Sequence, residues 1–173
     1  PFDYELRVIY RLKENAIEGE FIFIDDGSTD GTYNTIKELS LEAENITGLH
    51  FSRNFGKESA ISAGLSATRG DCAVVIDCDL QHPPEKIIEM YRLWEQGYEI
   101  VEGIKKERGK EKKLHNIGAR FFYSVISNMA GFDMANSSDF KLLDRKVVDV
   151  LNKMPERGFF RAISFWVGYN KTT

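Results

Sequence analysis

The stretch Ala73-Val74-Val75-Ile76-Asp77-Cys78-Asp79-Leu80-Gln81-His82-Pro83-Pro84 constrains this chain most: an apolar run of strand length ends in two carboxylates and then a double proline. Successive side chains of a strand point to opposite faces. In extended backbone Asp77 and Asp79 therefore point the same way and can offer oxygens to one hard cation, which in turn can bridge a diphosphate. A helix cap or a solvated turn would use the same two aspartates; the adjacent Gln81 and the prolines, which stiffen the loop and open the next helix, favour the metal. The stretch Phe21-Ile22-Phe23-Ile24-Asp25-Asp26-Gly27-Ser28-Thr29-Asp30-Gly31 repeats the form. Ser28, Thr29 or Asp30 would cap the following helix unaided. A carboxylate there can also accept the imide N–H of a uracil or the hydroxyls of a ribose. In open α/β sheets, ligands bind at such carboxyl ends of strands.

Apolar runs at 21–25, 49–52, 73–77 and 100–104 alternate with segments of helical period, which predicts an α/β chain with a largely parallel sheet. Ile36, Leu39 and Ala43 mark one helix face. Ala60, Ile61, Ala63, Gly64 and Ala67 mark a second, and Ile87, Ile88, Tyr91 and Trp94 a third. A longer amphipathic segment runs over 114–129 and stops near Gly131. Beyond it the pattern allows a short strand over 139–143, a short helix over 145–151 and an aromatic-rich segment over 158–166. With 173 residues and no repeat or linker, the expectation is one domain.

A formal charge of −4 disfavours nucleic acid as a partner. Cys72 and Cys78 lie in or beside a strand that reads as buried, which argues against a disulfide framework and for a reducing, cytosolic setting. No apolar run approaches the roughly 18 residues of a spanning helix, so the chain as given is expected to be soluble and not to cross a membrane.

Ser52-Arg53-Asn54-Phe55-Gly56-Lys57-Glu58 follows a strand and opens a helix, so its backbone N–H groups, Asn54 and Lys57 can serve a nucleotide or its phosphates. Lys105, Lys106, Arg108, Lys110, Lys112 and Lys113 would ordinarily be a solvated face; their place after the fourth strand favours an anion. Asp139 in Ser137-Ser138-Asp139-Phe140-Lys141 reads by itself as a cap. His50, His82 and His115 lack metal-ligand spacing, and neither a nucleophile elbow nor a Walker-type loop is present.

In this order and at these spacings, DDGSTDGT, SRNFGKE, DCDLQHPP and SSDFKLLDR resemble a family 2 glycosyltransferase of GT-A fold, a Rossmann-like three-layer α/β/α arrangement with a mainly parallel central sheet. The branch it is most similar to contains dolichyl-phosphate mannose synthase and the bacterial polyprenyl-phosphate (bactoprenol) glucosyltransferases. The resemblance implies inverting transfer of a hexose from a nucleotide-sugar, UDP-glucose or a related UDP-sugar, to a polyprenyl phosphate at the cytoplasmic face of a membrane, in cell-wall or surface-polysaccharide biosynthesis. It implies that Asp25 or Asp26 holds base and ribose, with Asn54 and Lys57 in the donor site. Asp77, Asp79 and Gln81 would hold Mg²⁺ or Mn²⁺ and the diphosphate. Asp139 would stand near the reacting centre, positioning groups rather than removing a proton. Lys105, Lys112, Lys113, Asn116 and Arg157 would meet the acceptor phosphate. A homo-oligomer is compatible with the resemblance.

Two departures accompany it. The family opens with a strand that contributes to the nucleotide site, whereas Pro1 to Glu20 reads as a helix. The chain also stops short of the region where this branch often carries membrane helices. The alternatives are a family 2 enzyme acting on a saccharide hydroxyl, in which Asp139 must be a true base, an α/β domain that senses nucleotide-sugars without transfer, and an aspartyl phosphatase, against which Gln81 argues. Acceptor use, lipid phosphate or sugar hydroxyl, separates the first from the leading reading, and the retained Asp77, Asp79 and Asp139 speak against the second.

Overall fold

The computed structural model describes residues 3–79, 82–104, 138–154 and 160–173. Strands β1 (Phe21–Asp25) and β2 (Ile46–His50) pair in parallel, Phe21 opposite Ile46 and Asp25 opposite His50. Helix α2 (Thr32–Glu42) connects them and packs on β2 through the buried Ile36. A second sheet has the order β3-β5-β4-β6, formed by β3 (Cys72–Val75), β4 (Ile100–Glu102), β5 (Lys141–Asp144) and β6 (Lys171–Thr172). In it β5 runs antiparallel to both β3 and β4, and β6 is parallel to β4.

Strand β5 organises the core because it has a neighbour on each side and both its faces are covered. Leu142 and Leu143 are fully buried and, being consecutive, point to opposite faces. Leu143 joins Leu65, Ala73, Ile100, Val147, Val148 and Phe160. Leu142 joins Val8, Ile87, Met90, Val101 and Phe140. One face is thus covered by α3 (Lys57–Ala67), α5 (Arg145–Lys153) and α6 (Phe160–Trp166), the other by α1 (Asp3–Glu14) and α4 (Pro84–Glu95). Each such buried leucine contributes on the order of 2 kcal/mol. The result is the expected α/β/α layering.

The sheet departs from the expected mainly parallel one at β5. Among the described residues it is also divided: β1 and β3 share no ladder, and an apolar cavity of about 680 Å³ lies between them, lined by Ile22, Ile24, Val74, Ile76 and the α1 side chains Val8 and Leu12. The helical reading of the first residues holds in α1.

Strand ends differ from the apolar runs where partners decide them. The third run ends as strand at Val75, because Val75 faces Lys141, the first residue of β5. The fourth ends at Glu102 for the same reason. The second begins at Ile46 rather than Leu49, since the ladder with β1 reaches Phe21 regardless of the polar Thr47 and Gly48. The segment 114–129 lies outside the described residues. Among those described, no helix is long and apolar enough to cross a membrane.

Candidate functional site

The acidic end of β1 divides its labour. Asp25 is buried and both its oxygens are engaged: Oδ1 accepts the Ser28 N–H at 3.0 Å and Oδ2 lies 2.8 Å from His50 Nδ1, whose ring stacks on Tyr33. Burial pushes its carboxyl up, but the Ser28 and His50 hydrogen bonds outweigh that and hold it below its ordinary value. Asp26 accepts instead from the backbone N–H groups of Phe55 at 2.7 Å and Gly56 at 2.9 Å. It thereby fixes the loop that carries the exposed Asn54 and opens α3 at Lys57. The intervening turn needs Gly27: its φ is +74°, and a Cβ there would stand 2.3 Å from the Arg53 carbonyl carbon.

Beyond β3, Asp77 lies two residues past the strand end and Asp79 in a turn, so the strand alternation expected to align them does not extend to Asp79. Cys78 is exposed, in contrast to the buried setting expected for it; half-buried Cys72 is an inert thiol pushed up to about 12 by burial. Lys57 Nζ stands 2.7 Å from Asp77 Oδ2 and also 2.7 Å from Asp139 Oδ2, joining two strand ends through one ammonium. Burial lowers its pKa, yet the hydrogen bonds it donates to Asp139 and Asp77 carry it above the ordinary lysine value. The place between these carboxylates therefore already holds a positive charge. Hard, partly exposed carboxylate oxygens at a strand end suit a divalent ion that takes its remaining ligands from a diphosphate. Among the described residues no three acidic, His or Cys side chains form a complete metal cage.

Asp139 is 7% exposed and is gripped from several sides. Arg161 clamps both its oxygens, Nε on Oδ1 and Nη2 on Oδ2, each at 2.7 Å. Burial would raise its pKa, but Arg161 and Lys57 overcome this and hold it at about 2. The loop before it is anchored by the Ser138 N–H on Glu102. The Phe140 ring after it stacks on His82 at 4.3 Å, which ties the segment following Asp79 to the segment carrying Asp139. Gly103 donates its N–H to the Phe140 carbonyl at 2.9 Å and has room for nothing larger, since a Cβ would stand 2.2 Å from the ring. Gly103→Ala is accordingly expected to displace Phe140 and Asp139 together and to lower turnover about tenfold or more, with donor affinity measured by titration nearly unchanged.

Asp26, Asn54, Lys57, Asp77, Asp79 and Asp139 lie on the carboxyl ends of strands or on loops next to them, and Lys57 links Asp77 to Asp139 directly. Gln81, Lys105, Lys112, Lys113, Asn116 and Arg157 lie outside the described residues. Sequence reasoning missed Arg161, the His82–Phe140 stack and a buried pair beneath the site, Lys141 with Glu102, whose Nζ and Oε1 are 2.8 Å apart. The last had a signal: opposite charges at the end of one apolar strand and the start of another.

Residues 4–151 match the family model described as glycosyl transferase family 2. Over 95% of its length the chain is 39% identical to the uncharacterized glycosyltransferase YkcC of Bacillus subtilis, covering 51% of that protein. It is likewise 39% identical over 96% of its length to the uncharacterized glycosyltransferase sll0501 of Synechocystis, covering 53% of it. Against the bactoprenol glucosyl transferase of Shigella phage SfX the identity is 37% over 87% of the chain and 50% of the relative. The chain spans about half the length of these curated relatives.

Proposed function

The chain belongs to glycosyl transferase family 2, and from that membership we propose that it carries the donor-binding and transfer site of an inverting, metal-dependent enzyme moving a hexose from a UDP-sugar, such as UDP-glucose, to a polyprenyl phosphate. The observation that carries the choice of acceptor is the state of Asp139. Its carboxylate takes two hydrogen bonds from Arg161 and one from Lys57 and is held at about 2. So weak a base does little for a sugar hydroxyl of high pKa. A phosphate acceptor arrives already ionised and needs no proton removed, in line with the bactoprenol glucosyl transferases among the relatives.

In this reading Asp26 and its loop seat the nucleoside, and Asn54 and Lys57 face the donor phosphates. Asp25, with both oxygens engaged within the protein, shapes that pocket from below. Asp77 and Asp79, with Gln81, hold Mg²⁺ or Mn²⁺, which supplies charge stabilisation for the departing diphosphate. Lys105, Lys112, Lys113, Asn116 and Arg157 are assigned to phosphate binding on the acceptor side, at the cytoplasmic surface of a membrane.

The test is turnover by the full-length protein of a panel of UDP- and GDP-sugars with Mn²⁺ and a short polyprenyl phosphate. Lipid-linked hexose from a UDP-sugar is the expected product, with inverted anomeric configuration by NMR. Transfer to a saccharide hydroxyl instead would refute the acceptor assignment, and donor binding without transfer to any acceptor would mark a sensing domain.

A further inference from the structure

Helix α6 enters the site by two ties made at neighbouring residues. Phe160 is buried in the core cluster beside Leu143, and its N–H donates to the Glu58 carboxylate at 2.7 Å. Glu58 follows Lys57 at the start of α3. With Phe160 fixed inward and its backbone bound to α3, Arg161 is delivered to Asp139, which Lys57 also holds. A continuous charge chain results: Arg161, Asp139, Lys57, Asp77. It joins α6, the loop before β5, the start of α3 and the loop after β3.

We propose that Arg161 is a positioning residue of the transfer reaction, setting the carboxylate plane of Asp139 and, through it, the placement of Lys57 against Asp77. The inference rests on the transfer reading above. Lys57 meets Asp139 at Oδ2, 2.7 Å away, and a single ammonium is a point charge that by itself leaves the carboxylate able to pivot about that contact. Arg161 engages both oxygens with the planar fork of a guanidinium, which removes the pivot. Lysine at 161 could supply charge but only one point of contact. Because Lys57 is shared, a rotated Asp139 also releases the ammonium toward Asp77, one of the two carboxylates assigned above to the metal. Misplacement by about 1 Å at such a centre can cost on the order of 100-fold in rate.

The test compares Arg161→Gln and Arg161→Lys in the full-length protein, reading kcat for transfer, UDP affinity by titration and the thermal midpoint. A positioning role predicts that Arg161→Gln lowers kcat at least 30-fold while UDP affinity stays within about threefold, and that Arg161→Lys restores only part of the rate. A folded Arg161→Gln protein with wild-type kcat would overturn the proposal. So would a tenfold loss of UDP affinity at unchanged kcat, which would make Arg161 a direct donor ligand. Crystal structures of both variants give a readout independent of turnover: an Asp139 carboxylate that keeps its plane without Arg161 also overturns it. If the wild type uses a saccharide acceptor, the acceptor reading fails while the same comparison is made on that reaction.

Discussion

Asp79→Ala is expected to reduce transfer at least ~10³-fold, the equivalent of ~4 kcal/mol of lost charge stabilisation at the departing diphosphate. Asp77→Asn should do the same by a different route. It keeps the side chain's size but removes one of the two carboxylates that hold Lys57, leaving the ammonium on Asp139 alone. The variants therefore separate two readings of the same cluster. If the acidic pair binds the cation, both lose Mn²⁺ affinity, measured by electron paramagnetic resonance, and excess Mn²⁺ recovers part of the activity. If the cluster is only a structural ion-pair network, Asp77→Asn lowers the thermal midpoint while Asp79→Ala, at an exposed turn position, leaves both stability and turnover alone. Retention of more than a tenth of wild-type transfer by Asp79→Ala would remove Asp79 from the metal site.

The parts of the site legible in the sequence are those that a strand presents to its own loop. β1 was readable to the residue because Phe21 to Ile24 is an unbroken apolar run closed by acids and a glycine turn, all local chemistry. The ends of β3 and β4 were not, because the partner strand β5 sets them, and a partner is not visible from within a run. β5 itself was blurred by Lys141, whose charge reads as solvent-facing while its side chain is 1% exposed. Division of the sheet by the cavity beside β1 is likewise a property of how elements meet. Arg161 had no mark at all: it reaches Asp139 from 22 positions away, on no helical or strand period, and is placed by the burial of Phe160. Asp25 and Asp26 are adjacent and chemically alike, and only their partners tell which one is tied at its own strand end and which one organises the loop that carries Asn54 and Lys57.

Lys141→Met is expected to destabilise the protein by about 3 kcal/mol, because it strands the Glu102 carboxylate, 2% exposed, with one of its partners gone. Glu102 is the hub of the region beneath the site: it pairs with Lys141 and Lys171 and accepts the Ser138 N–H next to Asp139. Burial acts to raise its pKa, and the bonds from Lys141 and Lys171 instead bring it to about 2, against an ordinary 4.5. A depressed carboxylate stabilises the fold above its unfolded pKa and loses that contribution as pH falls through its folded one. The pair should therefore add stability at neutral pH that drains away between about pH 4.5 and 2. Part of the gain is given back by Lys141, whose burial holds its ammonium below the usual lysine range. Urea unfolding at pH 7 and pH 3 checks this, since the gap between wild type and Lys141→Met should narrow at the lower pH. Pairing the change with Glu102→Leu removes the stranded charge and should recover much of the stability, as Lys171, about a quarter exposed, can turn to water. Activity should not return with it, because the Ser138 N–H has then lost the acceptor that holds the Asp139 loop. Recovery of both would mean that Glu102 serves the fold alone.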